Sequence, residues 1–150
     1  MTSFLYYLRD VMACFVAVIF YGIFMSVPKK PLILAAGSGT AAYLLYRLIY
    51  LEAGSELFGY LAASLLAAVA AEVLARIFKT PSTILVFPAI IPLVPGVGLY
   101  RTMLCLVQND MERFPVVFSR TLLISGIIAV TVAVVNAAAR SLFHPHPHKQ

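Results

Sequence analysis

The sequence predicts an all-α, polytopic membrane protein, a bundle of about five transmembrane helices with a broken fourth helix. Hydrophobic residues make up 62% of the 150 residues and charged residues only 11%, whereas soluble domains average roughly 45–50% and 25%. A soluble fold of this size could not hide so much apolar surface. Five apolar stretches also approach the length of about 20 residues that a spanning helix needs.

Short polar connections separate these stretches and leave no room for a soluble domain. We therefore predict one membrane domain over residues 1–143 and a disordered tail over residues 144–150, where histidine alternates with proline. The N-terminal stretch is interpreted as a retained span, because no clear small-residue cleavage site follows it. The predicted spans are residues 4–27, 31–51, 57–78, 81–107 and 115–143, the fourth of them interrupted.

Basic residues predict the orientation of the chain. The net charge is +5, but the basic residues flank apolar stretches and form no stripe, which favours membrane anchors over nucleic-acid binding. Lys and Arg accumulate in the first connection, the third connection and the C-terminal end, whereas the second connection has none. We expect a multi-pass protein of the cell membrane with its N-terminus outside and its C-terminus cytoplasmic. Three arginines fall toward the predicted outer ends of the spans and reduce the difference in basic residues between the two sides: Arg9, Arg47 and Arg120.

Small residues recur at every fourth position on two of the spans. This spacing lets helix backbones approach closely, which drives association in lipid. The faces would pack within the chain, against a partner, or against a second copy in a homo-oligomer, and the sequence leaves these alternatives open. The repeats are Ala63, Ala67, Ala71 and Ala75 on the third span, and Ala129, Ala133 and Ala137 on the fifth.

The fourth span contains the most informative pattern in the chain. Interior prolines remove backbone hydrogen bonds, and non-helical backbone at membrane depth survives only against protein or a water-filled cavity. We predict a break over residues 92–98, near the bilayer midplane, and a half-helix that begins near Leu99 with its N–H groups available to an anion. The interrupting residues are Pro88, Pro92, Pro95, Gly96 and Gly98.

Arg101 falls in the first turn of the predicted half-helix. A guanidinium at membrane depth is costly unless it faces water or a counter-charge, and it can hold a carboxylate through two hydrogen bonds. Secondary transporters often build substrate sites from broken helices. A kink that only shapes packing is the alternative. The candidate substrate-binding residues are Pro92, Pro95, Gly96, Gly98, Tyr100 and Arg101.

Two carboxylates inside spans are candidates for proton coupling, Glu72 and Asp10, because protonatable residues in spans often relay protons. Glu72 precedes Arg76 by one helical turn, an order that suits an ion pair, so a structural pair is the alternative. Asn136 is expected to make an interhelical hydrogen bond.

Several chemical functions have no support in the sequence. Phosphate-binding loops, HExxH and GxSxG are absent, so we predict no enzymatic activity. Cys14 and Cys105 lack the spacing of a metal site or a disulfide framework, and we predict no cofactor and no metal.

The run of residues 88–103, PAIIPLVPGVGLYRTM, resembles the signature of the threonine/serine exporter family. Within that family the chain most resembles the small subunit, equivalent to the C-terminal membrane half of the single-chain exporters. The resemblance covers nearly the whole chain. Gly98 and Arg101 follow the amino-acid-exporter form of the motif, and related small subunits are associated with succinate export.

This resemblance implies export of small carboxylate-bearing metabolites, threonine and serine first, across the cytoplasmic membrane and coupled to the proton gradient. It also implies a partner, a larger membrane subunit that resembles the N-terminal half. The alternatives are a dicarboxylate exporter subunit, a structural subunit that assembles with a larger membrane partner, and a passive channel.

Overall fold

The computed structural model describes the backbone of residues 2–143 and the side chains of residues 8–52 and 54–141. The predicted tail over residues 144–150 lies outside the described residues. Residues 2–143 form helices and no strand, which confirms the predicted polytopic helical class. The elements are α1 (Thr2–Phe24), α2 (Lys29–Ala53), α3 (Glu56–Phe78), α4 (Ser82–Ile90), a 3-10 helix (Ile91–Leu93), α5 (Gly96–Val107) and α6 (Phe114–Phe143).

Three helices are long and apolar enough to cross a membrane. They contain the segments Lys29–Glu52, Glu56–Phe78 and Phe114–Ser141. A fourth span results if Ser82–Leu93 and Gly96–Val107, which meet at a bend of 60°, count as one. α1 coincides with the first predicted span and has 23 residues, but its side chains are described only from Leu8 onward. The total of five spans therefore stays a prediction.

Two contacts at opposite ends of α3 show that α3 and α6 run parallel. Arg120, near the start of α6, donates a hydrogen bond from Nε to Glu56 Oε2 over 2.7 Å, and Glu56 is the first residue of α3. Arg76, near the end of α3, donates from Nη2 to the carbonyl of Ala139, near the end of α6. We call these the Glu56 end and the Arg76 end of the bundle. At 1.5 Å per residue they lie about 30 Å apart, close to the thickness of a hydrocarbon core.

The parallel arrangement determines the path of the chain between α3 and α6. α3 finishes at the Arg76 end and α6 starts at the Glu56 end. The intervening residues must therefore cross the bundle once. α4, the 3-10 helix and α5 together form one broken span, because a re-entrant loop would have returned the chain to the Arg76 end.

The small residues of α3 form the centre of the helix packing. Ala63, Ala67, Ala71 and Ala75 are all buried, with at most 5% of their surface exposed. They belong to two hydrophobic clusters that join α2, α3 and α4. This small-residue face therefore packs within the chain.

The second small-residue repeat, on α6, is exposed and not buried. Ala129, Ala133 and Ala137 are exposed on the outer surface of α6. Buried positions on α6 include Thr121, Ile124, Ile128 and Ala139, and none of them belongs to this alanine repeat. In this chain, that face of α6 is available to lipid or to another subunit.

Candidate functional site

The fourth span breaks between Ile91 and Pro95. α4 continues through Pro88, which is buried inside the helix, and ends at Ile90. The 3-10 helix contains Pro92, and Val94 N donates to the carbonyl of Ile91 over 3.2 Å. Pro95 has φ −76° and ψ 60°, which is not helical, and α5 begins directly after it.

The helix restarts earlier than the sequence analysis predicted. We expected a break over residues 92–98 and a new helix from about Leu99, whereas α5 begins at Gly96. Glycine at the start of α5 does not prolong the break, because both glycines there adopt helical conformation. Prolines, which lack the N–H group and fix φ, decide where the helix stops.

Gly98 allows α5 to approach α6 closely. A Cβ atom at this position would lie 2.6 Å from Thr121 Oγ1 and 3.1 Å from its Cγ2. Gly96, by contrast, has no neighbouring atom within 4 Å of the position of a Cβ. Gly98 therefore has a packing role that the sequence analysis did not assign to it, and contact between α5 and α6 begins in the first turn of α5.

The break lies closer to the Glu56 end than to the middle of the bundle. Thr121, which contacts Gly98, follows Arg120, the partner of Glu56. α4 continues past Pro88, so α4 and the 3-10 helix carry the chain roughly 20 Å from the Arg76 end before the interruption. The predicted position of the break near the bilayer midplane stays a prediction.

Arg101 and Tyr100 are exposed on α5, Tyr100 to 67%. Within the described part of the chain, α6 is the one helix that α5 contacts, and Arg101 has neither a hydrogen bond nor an ion pair there. The structure thus brings together Pro92, Pro95, Gly96, Gly98, Tyr100 and Arg101 around the interruption, by their closeness along the chain. Tyr100 and Arg101 therefore lie on the outer surface of the described part of the chain.

Glu72 lies far from this segment, near the Arg76 end. Its side chain is 14% exposed, and Oε2 is 3.7 Å from Arg76 Nη2. The predicted ion pair is confirmed. The distance is longer than a hydrogen bond, however, and Arg76 Nη2 donates to the carbonyl of Ala139 over 3.1 Å.

Asp10, the second candidate for proton coupling, belongs to a group of charges between α1 and α2. Its carboxylate accepts hydrogen bonds from Arg47 Nη1 over 2.7 Å and from Arg9 Nη2 over 3.1 Å. Sequence reasoning paired Asp10 only with its neighbour Arg9 and missed Arg47. The sequence did contain an indication of this pair. Asp10 precedes the middle of the first span and Arg47 follows the middle of the second, so two antiparallel spans place both residues at the same depth.

Metal chemistry finds no support in the described residues. Among the side chains that the structure describes, no group of three or more His, Cys, Asp or Glu could hold a metal ion. Cys14 and Cys105 are free and half-buried.

The fold and these residues define a class of protein. A helical membrane bundle with one interrupted span and ionisable residues within its spans is typical of secondary transporters. Comparison with known families then identifies the family. The family model described as "Threonine/Serine exporter, ThrE" matches residues 10–138, and the chain belongs to the threonine/serine exporter family. No curated protein and no solved structure matches the chain. The chain is therefore an exporter-type transport protein of the membrane.

Proposed function

We propose that this chain is the small subunit of a two-component secondary exporter of small carboxylate-bearing metabolites, with threonine and serine as its first substrates. One observation carries the proposal: the span between α3 and α6 is interrupted, and Arg101, in the second turn of the helix that follows, has no charged partner in the described chain. An unpaired guanidinium beside interrupted backbone is suited to an anionic group.

The substrate carboxylate would bind at the start of α5. Arg101 would donate two parallel hydrogen bonds to it, and the first N–H groups of α5, after Pro95, would add their partial positive charge. Pro92 and Pro95 hold the backbone open, Gly96 and Gly98 let the substrate and α6 approach, and Tyr100 would border the site.

A larger membrane subunit would complete this site. α5 packs against α6 alone among the described helices, and it exposes large apolar side chains that include Val97, Leu99 and Met103. A partner that covers α5 would enclose Arg101 and shield these side chains. The exposed alanine repeat of α6 offers a second surface for the same partner or for a second copy of this chain.

Proton coupling is assigned first to Glu72. Its carboxylate is largely buried and has only a loose ion pair with Arg76, which suits a group that binds and releases a proton. Asp10 is held by hydrogen bonds from two arginines, which favours a structural role. The proposed orientation has the N-terminus outside and the Arg76 end in the cytoplasm.

The experiment is an efflux panel in cells that lack this gene and the gene of its larger partner. Returning both genes should restore efflux of threonine and serine, and collapsing the proton gradient should reduce it. Efflux of succinate alone would support the dicarboxylate exporter instead. Flux that follows only the gradient of the substrate would contradict coupling, and a purified partner that transports fully without this chain would reduce it to an assembly subunit.

A further inference from the structure

Basic side chains are concentrated at the Arg76 end of the bundle. Only Gly54 and Ser55 separate α2 from α3, so α2 begins at the end of the bundle where α3 finishes. Among the side chains that the structure describes, this end contains one carboxylate, that of Glu72, and five basic groups: Lys29, Lys30, Arg76, Lys79 and Arg140. The Arg76 end therefore bears a net positive charge.

A polar pocket opens at this end, between the end of α3, the start of α4 and the end of α6. Its volume is about 360 Å³, within the range of roughly 300–1,000 Å³ that is usual for small-molecule sites. We call it the Arg140 pocket, and its polar lining consists of Glu72, Arg76, Thr80, Ser82 and Arg140. Since two guanidinium groups and one carboxylate line the pocket, it favours an anionic group over a cationic one.

The two arginines of the pocket contribute differently. The guanidinium of Arg76 lies 3.7 Å from the Glu72 carboxylate and donates a hydrogen bond to the carbonyl of Ala139, so its charge is largely balanced within the chain. Arg140 is exposed in the last turn of α6 and has neither an ion pair nor a hydrogen bond among the described residues. Arg140 is therefore the charge that the pocket offers to a ligand.

The start of α4 adds hydrogen-bond donors to the pocket. α4 begins at Ser82 directly after Pro81, and no side chain caps it. The N–H groups at an uncapped helix start favour an anion, and Ser82 itself lines the pocket. A phosphate group accepts strong hydrogen bonds from guanidinium, hydroxyl and N–H groups through several oxygens at once, so it matches this set of donors.

Thr80 provides a second, independent observation at the pocket. Its Oγ1 atom is buried and has no hydrogen-bond partner in the described structure, although buried hydroxyls are normally bonded. An acceptor oxygen in the pocket would satisfy this hydroxyl. Asn136 Oδ1, one turn before Arg140 on α6, is likewise buried without a donor. The predicted interhelical hydrogen bond of Asn136 is therefore not made by Oδ1.

We propose that the Arg140 pocket binds a phosphate group, carried by an anionic phospholipid or free in solution. The phosphate oxygens accept hydrogen bonds from the guanidinium of Arg140, from the start of α4 and from Thr80. Basic pockets between membrane helices recognise anionic headgroups in this way, and the pocket lies at an end of the bundle, where headgroups meet the protein. The pocket and Arg101 lie toward opposite ends of the bundle, so the proposal does not depend on the proposed function.

The two sources of phosphate make different demands on the surface beside the pocket. α3 exposes apolar side chains on the turns next to Arg76, at Val69, Val73 and Ile77. The acyl chains of a phospholipid held by its headgroup would cover this surface. Free phosphate would contact the pocket alone, so only a lipid would shield both the charges and the apolar side chains.

Native mass spectrometry of the purified full-length chain tests the proposal. The chain should retain phosphatidylglycerol under conditions that remove phosphatidylcholine, because the choline ammonium would lie against basic side chains. Arg140→Gln should weaken phosphatidylglycerol binding about ten-fold, through the loss of a charge-assisted hydrogen bond. Arg113→Gln is the matched control, because Arg113 is 82% exposed in the α5–α6 connection, at the other end of the bundle, and should leave binding unchanged.

Two further variants should change binding in opposite directions. Glu72→Gln removes the carboxylate that repels a phosphate and should strengthen retention of phosphatidylglycerol. Thr80→Val preserves the shape of the side chain but removes its hydroxyl, and should weaken retention about five-fold. Weaker binding in Glu72→Gln, in protein that inserts normally, would show that the pocket does not select an anion.

Inorganic phosphate distinguishes the two sources. If free phosphate is the ligand, sodium phosphate should raise the midpoint of thermal unfolding in a neutral detergent, sodium chloride of equal ionic strength should not, and Arg140→Gln should abolish the effect. If a phospholipid is the ligand, phosphatidylglycerol should raise the midpoint and phosphate should not. Equal retention of phosphatidylglycerol and phosphatidylcholine without any effect of phosphate, or unchanged binding in Arg140→Gln, would overturn the proposal. Neither measurement involves transport, so the result is independent of export.

Discussion

At the residue scale, charges within the helices are mostly placed beside an opposite charge on the same or a neighbouring helix. Asp10 meets Arg47, Glu56 meets Arg120, and Glu72 lies near Arg76. Arg101 has no such partner in the described chain. The contrast separates residues that stabilise the bundle from a residue whose charge is available to a substrate or a partner subunit.

Sequence reasoning found only some of these pairs, for a physical reason. The Glu72–Arg76 pair depends on helical periodicity alone, so it was predicted. The pairs of Arg47 and Arg120 depend on the alignment of helices distant in sequence, which local spacing does not determine.

Gly39 and Gly37 offer a matched test of packing at the residue scale. A Cβ at Gly39 would lie 2.8 Å from the backbone carbonyl oxygen of Ala89 and 3.1 Å from its Cα, whereas Gly37 has no atom within 4 Å. Gly39→Ala should therefore destabilise the protein by roughly 1–3 kcal/mol. Gly37→Ala should stabilise it by roughly 0.5–1 kcal/mol.

The midpoint of thermal unfolding in detergent measures both changes. Gly39→Ala should lower the midpoint and Gly37→Ala should raise it slightly. Equal midpoints for the two variants would show that α2 and α4 do not approach each other as described.

At the element scale, the composition of the fourth span predicted that it breaks but not where. Pro88 and Pro92 look equivalent in the sequence, yet α4 continues through Pro88 and stops before Pro92. The surroundings make the difference, because Pro88 is buried against neighbouring helices that support the helix around it. The low helix propensity of proline does not predict this support, because the support comes from neighbouring helices.

Removing the prolines of the interruption should reduce transport. Pro95→Ala restores a backbone N–H and permits helical ψ at a position that now has ψ 60°, so α4 and α5 should straighten and displace Arg101. We expect efflux to fall at least ten-fold at unchanged membrane levels. Pro115→Ala, near the exposed start of α6, should leave efflux unchanged. Normal efflux with Pro95→Ala would remove the functional role of the break.

At the scale of the whole molecule, the parallel course of α3 and α6 organises the bundle. It makes α4 and α5 one crossing, and it places the α3–α4 connection and the α5–α6 connection at opposite ends. The sequence predicted this alternation from the number of apolar stretches. It did not predict which small-residue face is buried, because α3 and α6 have the same repeat and only the assembled bundle distinguishes them.

Cysteine accessibility in intact cells tests this topology. In a background with Cys14 and Cys105 replaced by serine, Glu112→Cys should react with a membrane-impermeant thiol reagent. Lys79→Cys should react only after the cells are permeabilised. Glu52→Cys is the control expected to match Glu112→Cys. Reaction of positions 79 and 112 on one side would contradict the single crossing, and exchanged sides would reverse the proposed orientation.

Arg101 is the residue on which the proposed transport site depends most, because it would bind the substrate carboxylate. The direct measurement is threonine efflux from cells that express the chain and its larger partner, with Arg101→Ala compared with Arg113→Ala. Arg113 is 82% exposed in the α5–α6 connection and pairs with Asp110, so its loss should leave efflux unchanged. We predict that Arg101→Ala abolishes efflux at normal membrane levels and that Arg101→Lys restores only part of it. Undiminished efflux with Arg101→Ala would show that Arg101 does not bind the substrate carboxylate.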